Sequence, residues 1–211
     1  MATVSTTASK TRRADAVTLA VLGGACLFLF AVLAVALWHV RGPVGIDDAL
    51  GSAKTRGAAG VYLGLVADFG SPWFVGLAAL MLAVVAHAAG DRLAVAVCVV
   101  GPVLAGVCEL VAKPAVDRLK ESALSYPSGH AIGAAAVAAL VVLVSWRLGG
   151  RDTALLVAGP AAAIPLAVSV AVVRLGWHYP TDTIGGIALG VGVVCATAAA
   201  LDKSPKTGRT S

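Results

Sequence analysis

The chain has 211 residues, of which 59% are hydrophobic and only 13% charged, and its mean hydropathy is +0.91. Since soluble domains contain about a quarter charged residues, this composition excludes a water-soluble globular protein and indicates that the lipid bilayer is the solvent. The net charge of +5 predicts no nucleic-acid partner, because Lys and Arg collect on the cytoplasmic loops of membrane proteins.

The first membrane span is predicted from Ala16 to about Val40. Its length of about 25 residues is sufficient to cross about 30 Å of hydrocarbon and is too long for the apolar part of a secretory signal. Residues 1–15 are polar and are expected to form a cytoplasmic tail. Residues 41–70 are mixed in character and predict an extramembrane loop with a short amphipathic helix.

Further apolar runs complete a prediction of an all-α polytopic membrane protein, with six transmembrane helices in one bundle over residues 16–201. The polar residues 202–211 are expected to form a disordered cytoplasmic tail. The five later runs lie at about 71–89, 92–112, 128–148, 153–173 and 183–201.

The distribution of Lys and Arg favours a topology with both termini in the cytoplasm. In this topology the outer segments carry Arg41, Lys54 and Arg56, together with four cations that adjoin the candidate site described next. If function retains those four, the remaining positive charge lies mostly inside, and the site faces the extracytoplasmic side. The cations expected inside are Lys10, Arg12, Arg13, Arg92, Arg147, Arg151, Lys203, Lys206 and Arg209.

Two polar segments interrupt the apolar pattern, and each places a histidine at the edge of a span. In the segment Arg174–Asp182, His178 and Asp182 are four residues apart and would share one face of a helix. The carboxylate can then reach one imidazole nitrogen and leave the other free as a nucleophile. The alternative is that Thr181 or Asp182 only caps the last span, while His178 lies at the interface without a catalytic role.

The other segment ends in Ser128, Gly129 and His130, which open a predicted span after Pro127. A helix N-terminus binds phosphate through free N–H groups and the positive end of the helix dipole. Gly129 allows close approach of the backbone, Ser128 adds a hydroxyl donor, and His130 is placed to donate a proton. The alternative is that Ser128 is simply a helix cap.

Three cations, Lys113, Arg118 and Lys120, lie upstream of this serine. Cations directed at the equatorial oxygens are the main catalytic resource in phosphoryl transfer, although these residues could also form an ordinary solvated loop. The sequence shows no metal-ligand cluster, so hydrolysis without a metal or another cofactor is expected.

Together these residues predict a two-step reaction. His178 attacks phosphorus to form a phosphohistidine, and Asp182 orients and supports it. His130 protonates the leaving alkoxide and then activates water for the second step.

At these residues the sequence resembles the type-2 phosphatidic acid phosphatase superfamily, which shares its site with the vanadium haloperoxidases. The family pattern consists of Lys, six residues and Arg-Pro, then Pro-Ser-Gly-His, then Ser-Arg, five residues, His, three residues and Asp. The second part is intact at Pro127–His130, and the third keeps His178 and Asp182, followed by Gly185 and Gly186. The resemblance also fits the six spans and the long first loop, and it implies a lipid phosphatase.

Two positions depart from the family pattern. Lys113 fits the first part, but Lys120 and Glu121 occupy the Arg-Pro positions, and lysine lacks the planar fork that grips two phosphate oxygens. In the third part Ala171 and Val172 occupy the Ser-Arg positions. Arg174 lies two residues later, about 200° around a regular helix, so it serves as the clamp only if the backbone is distorted.

The expected partners are the bilayer and a lipid phosphate, which the resemblance narrows to phosphatidate, phosphatidylglycerophosphate, or a polyprenyl phosphate or diphosphate. The composition, rich in Ala, Val and Gly, hints at a bacterial source with a GC-rich genome, where trimming of a polyprenyl carrier at the cell envelope is a reasonable role. Two alternatives remain: a transporter or flippase, and an inactive relative that only binds lipid phosphate.

Overall fold

The protein is described by a computed structural model over residues 2–50 and 54–202, with side chains described from Ala16 onward. It is 82% helical, which confirms the prediction of an all-α chain. The elements in chain order are α1 (Ala2–Ala36), α2 (Gly45–Leu50), α3 (Ala58–Ala67), a 3-10 turn (Asp68–Gly70), α4 (Pro72–Ala88), α5 (Arg92–Val116), β1 (Leu119–Lys120), β2 (Ala123–Leu124), α6 (Gly129–Arg174) and α7 (Pro180–Asp202).

The prediction of a multi-pass membrane protein is confirmed, because the structure contains several long apolar helices. Within the described residues, four helices are long and apolar enough to cross a bilayer, and α3 with its 3-10 turn forms a further candidate with α4 across a 46° bend. Helix α6 has 46 residues and contains a non-helical residue, Gly150, with φ 79° and ψ −172°. This break falls between the predicted apolar runs 128–148 and 153–173.

The first loop contains more helix than the sequence indicated. Helix α2 has only six residues, whereas α3, with the sequence AAGVYLGLVA, has no charged side chain. Ala67 of α3 packs with Ala134 and Val168 of α6. The short amphipathic helix predicted in this loop stays a prediction, because α3 is apolar throughout and α2 has only six residues. Most of the predicted C-terminal tail, residues 203–211, lies outside the described residues, as do the side chains of the predicted tail 1–15.

Helix α7 lies at the centre of the bundle, where 67% of its apolar window is buried, against 6–28% for the other long helices. Its glycines allow the backbones to approach closely, as small residues do between membrane helices. A Cβ atom on Gly190 would overlap the Ile132 carbonyl oxygen of α6, and one on Gly192 would lie 2.9 Å from the side chain of Leu27 of α1.

The close packing of α7 on α6 predicts that Gly190→Ala destabilises the protein by about 1–3 kcal/mol, the usual cost of overpacking a well-packed core. Gly24→Ala in α1 is the matched control, because a Cβ atom there meets nothing within 4 Å, and helix propensity alone favours alanine. Thermal unfolding in detergent compares the two variants, and equal midpoints would show that the α6–α7 contact tolerates the extra methyl group.

Candidate active site

Both predicted catalytic histidines line one cavity of about 470 Å³. His130 lies in the first turn of α6, and His178 lies in the turn between α6 and α7. The ring of Trp177, the residue before His178, lies 5.5 Å from that of His130 between centroids. Glu109 and Lys113 of α5 line the same cavity, so two helices and the turn between α6 and α7 contribute polar side chains to it.

The His178 ring is oriented by a backbone carbonyl rather than by the predicted carboxylate. Its Nδ1 lies 2.9 Å from the carbonyl oxygen of Ser125 and 3.7 Å from Oδ2 of Asp182. A carbonyl only accepts hydrogen bonds, so Nδ1 carries the proton, and the lone pair is at Nε2. The predicted His178–Asp182 hydrogen bond is wrong at this distance, although the carboxylate is near enough to favour a positive charge on the ring.

Asp182 is held away from the imidazole by stronger partners. Its Oδ2 accepts a hydrogen bond from the backbone N–H of Tyr179 at 2.8 Å, and its Oδ1 accepts one from Arg118 at 2.6 Å. Pro180 begins α7, so the carboxylate lies in the first turn of the helix. Asp182 thus fixes the start of α7 directly. It positions His178 indirectly, through the turn that precedes the helix.

Arg118 is completely buried, and it bridges two equally buried carboxylates. Its Nη1 donates to Asp182 and Thr181, and its Nη2 donates to Asp47 at 2.6 Å and to the Gly42 carbonyl. Arg118 does not line the cavity with the histidines. The structure therefore places it in an ion-pair network behind the site, and not in the phosphate-binding position that was predicted.

The start of α6 has the features predicted for an anion site. Ser128 precedes the helix, is completely buried, and its Oγ has no partner among the described residues. Its backbone N–H donates to the Asp182 carbonyl at 3.1 Å, which joins the starts of α6 and α7. Gly129 lines the cavity beside His130. The hydroxyl of Ser128 is not used as a cap, although Ser128, like Arg118, does not itself line this cavity.

The segment that leads to Ser128 is anchored by Tyr126, which is completely buried. Its hydroxyl donates to the Phe30 carbonyl of α1 at 2.8 Å, and its ring lies where a Cβ atom of Gly185 would be. Burial raises the pKa of the Tyr126 phenol, so the hydroxyl remains a donor at physiological pH. A glycine is thus needed at position 185, because any larger residue would occupy the space of the Tyr126 ring.

Lys120 lies on the other side of His178, in a second cavity of about 290 Å³ that His178 also lines. Its Nζ donates to the His178 carbonyl at 2.8 Å and lies 4.2 Å from the centroid of the Tyr179 ring. Burial lowers the pKa of the Lys120 ammonium group, although the Asp182 carboxylate opposes that effect. Lys120 therefore adjoins the nucleophile but does not share the first cavity with Lys113.

Arg174 faces away from both cavities. It is exposed, its Nε donates to Oγ1 of Thr55 at 3.2 Å, and its carbonyl accepts from the Thr55 N–H. Because α6 keeps helical geometry as far as Arg174, the two-residue displacement from the family position is not compensated by a distortion. Arg174 therefore lies outside the lining of both cavities near His178.

Sequence reasoning missed Asp47 and the Ser125 carbonyl. Asp47 was assigned to a surface loop, yet it is 1% exposed and accepts hydrogen bonds from Thr181 as well as Arg118. These hydrogen bonds lower the pKa of Asp47 even though burial opposes the charge. The only sequence feature that distinguishes Asp47 is that it lies in a short polar segment of the first loop.

Among the described residues, no group of His, Cys, Asp or Glu side chains is arranged to hold a metal ion.

A family model for the PAP2 superfamily matches residues 108–206. This range contains both histidines, Asp182 and every cation predicted for the site. This match covers a little under half of the chain and supports its assignment to the type-2 phosphatidic acid phosphatase superfamily. The resemblance stated from the sequence motifs is therefore confirmed.

The PAP2 fold itself is supported by a solved structure, the crystal structure of the first transmembrane PAP2 type phosphatidylglycerolphosphate phosphatase from Bacillus subtilis. The two chains superpose with a TM-score of 0.72 over 90% of this chain and 98% of that chain. At 20% identity the likeness shows a common PAP2 architecture. No curated protein matches the chain.

Proposed function

We propose that the chain is a membrane phosphatase that hydrolyses a phosphomonoester or diphosphate of a lipid. The observation that carries the proposal is that His130 and His178, from separate elements, line one cavity together with Lys113. Membership of the PAP2 superfamily supports the same activity. The apolar helices around the site keep the enzyme in the bilayer, where a lipid substrate is dissolved.

The first step is attack by Nε2 of His178 on phosphorus. The hydrogen bond to the Ser125 carbonyl fixes the proton on Nδ1, so the lone pair of Nε2 is directed away from that bond. The phosphorus–oxygen bond to the lipid breaks, and His130 transfers a proton to the departing alkoxide oxygen. The Asp182 carboxylate, 3.7 Å from Nδ1, stabilises the positive charge that develops on the phosphorylated ring.

The second step reverses these roles. His130, now neutral, accepts a proton from water as the water oxygen attacks phosphorus. The phosphorus–nitrogen bond breaks, the electron pair returns to Nε2 of His178, and inorganic phosphate leaves. Lys113, the Ser128 hydroxyl and the N–H groups at the start of α6 stabilise the negative charge in both steps. Because these groups supply the positive field, the reaction needs no metal ion.

A topology of six spans supports a site at one face of the membrane. It counts α3 with α4 as one bent span and divides α6 at Gly150. At about 1.5 Å per residue, 46 residues extend roughly twice the 30 Å of a hydrocarbon core. The ends of α5 and the starts of α6 and α7 then lie together, and the charge distribution favours the extracytoplasmic face, with both termini in the cytoplasm.

The substrate class follows from the site and from the solved relative. That relative is described as a phosphatidylglycerolphosphate phosphatase, which supports phosphatidylglycerophosphate, phosphatidate, and polyprenyl phosphate or diphosphate as candidates. A second candidate function is binding of lipid phosphate without turnover. It is favoured by the position of Arg118 and Arg174, which are engaged outside the cavity.

A phosphate-release assay separates the two functions. We expect the full chain in detergent, with EDTA present, to release inorganic phosphate from at least one member of a panel of these four lipid classes. EDTA should leave the rate unchanged, because Lys113 and the start of α6 provide the charge stabilisation. Binding of the panel without release would favour the non-catalytic function, and a rate restored only by added divalent metal would contradict the metal-free mechanism.

A further inference from the structure

The cavity with both histidines contains an acidic side chain, Glu109. Glu109 lies on α5 one turn before Lys113, and its Oε1 is 2.7 Å from the Lys113 ammonium nitrogen. The sequence pattern alone suggested a structural helix pair. The side chains are 22% and 28% exposed, however, and both line the cavity in which the reaction is proposed to take place.

The carboxylate of Glu109 also lies directly against the first residue of α6. A Cβ atom on Gly129 would overlap Oε1 of Glu109 and would lie 2.8 Å from its Cδ and 2.9 Å from its Oε2. The carboxylate of Glu109 thus lies beside the start of α6, where the free N–H groups of a helix attract an anion. Glu109 is therefore in contact with both features that the proposed mechanism assigns to phosphate, namely Lys113 and the α6 N-terminus.

We infer that Glu109 is an internal anion that competes with phosphate for Lys113 and the start of α6, and so sets the affinity of the site for its substrate and product. The inference rests on the proposed function, because it assigns the same cavity to phosphate. In the ligand-free protein the carboxylate satisfies Lys113 and partly neutralises the field of the two histidines and the helix dipole.

Phosphate binding then requires the carboxylate to move away from Gly129. Two anions at one helix start repel each other strongly, because charges at a protein surface are screened less than charges in bulk water. The repulsion weakens binding of the product, a free dianion, as well as of the substrate. Glu109 thus promotes release of inorganic phosphate after each turnover.

The test measures binding of inorganic phosphate to the full chain in detergent, by its effect on thermal unfolding and by inhibition of phosphate release. We expect Glu109→Gln to bind inorganic phosphate about tenfold or more tightly than wild type, because the change removes a like charge from the site. Glu121→Gln is the matched control. That carboxylate pairs with Lys54, is 71% exposed and is screened by solvent, so its removal should leave phosphate affinity unchanged.

Glu109→Asp distinguishes the effect of the negative charge from that of the longer side chain, since it keeps an anion near Lys113. It should bind phosphate nearly as weakly as wild type. If Glu109 instead positions Lys113 for phosphate, Glu109→Gln will bind phosphate more weakly, and this result would overturn the inference. Equal affinity in wild type and Glu109→Gln, or no measurable binding to either, would overturn it too.

The binding measurement needs no turnover, which distinguishes the inference from the proposed function. Tighter phosphate binding by Glu109→Gln, with no hydrolysis by any variant, would sustain the competition and reject the phosphatase. Hydrolysis by wild type with phosphate inhibition unaffected by Glu109→Gln would sustain the phosphatase and reject the competition.

Discussion

Replacing His178 by alanine is expected to lower phosphate release about a thousandfold or more. The substitution removes the atom that forms the covalent intermediate in the proposed mechanism, and loss of a nucleophile typically costs several orders of magnitude in rate. The measurement is the rate of inorganic phosphate release from the best lipid of the panel, at saturating substrate and with EDTA present.

His87→Ala is the matched control for this prediction. His87 is exposed in the last turn of α4 and does not line either cavity near His178. Its variant should retain wild-type activity. If His178→Ala keeps more than about a tenth of the wild-type rate, or if both variants lose activity equally, the assignment of His178 as nucleophile fails.

His130→Ala gives a further distinction between the two histidines within the same assay. An aryl phosphate leaves as a weak base and needs little protonation, so His130→Ala should lose much less activity on this substrate than on an alkyl phosphate. His178→Ala should lose activity on both, because each needs the nucleophile. Equal losses on the two substrates in His130→Ala would contradict its role as the general acid.

Arg118→Ala is expected to destabilise the folded protein by about 3–5 kcal/mol, because it leaves two buried carboxylates without a cation. Asp47 and Asp182 each lie 2.6 Å from the guanidinium nitrogens, and all three side chains are 0% exposed. The loss should appear as a lower unfolding midpoint in detergent. Activity should fall with it even below that midpoint, since Asp182 fixes the turn that carries His178.

Arg174→Ala tests whether this effect belongs to the buried network or to any arginine near the site. Arg174 is exposed, and among the described residues its side chain donates to Thr55 alone, so its loss should change stability by about 0.5 kcal/mol or less. A similar midpoint for Arg118→Ala and Arg174→Ala would show that the buried ion pairs contribute little net stability.

The convergence of the two histidines could be predicted because it depends on patterns that a sequence shows directly. Alternating spans bring the starts of α6 and α7 to the same end of the bundle. Helix signals placed those starts close to where they occur, at Gly129 and Pro180. The short motifs around His130 and His178 then identified the family.

The partners of the charged side chains could not be predicted, because they depend on tertiary contacts between distant segments. Arg118 looked like a phosphate clamp by proximity to Lys120, yet it pairs with Asp47, 71 residues earlier. Every residue has a backbone carbonyl, so the sequence does not indicate which carbonyl accepts a hydrogen bond. The Ser125 carbonyl therefore could not be predicted as the partner of His178 in place of the Asp182 carboxylate. Glu109 was correctly paired with Lys113, but its contact with Gly129 depends on how α5 packs on α6.

The network around Asp47 makes the first loop part of the catalytic unit. The Asp47 carboxylate accepts hydrogen bonds from the backbone N–H of Val44, from Arg118, and from both the backbone and the hydroxyl of Thr181. A chimaera that exchanges this loop between relatives must therefore exchange Asp47 together with Arg118 and Thr181. In the evolution of such enzymes these three positions should change as a set, even though long stretches of chain separate them.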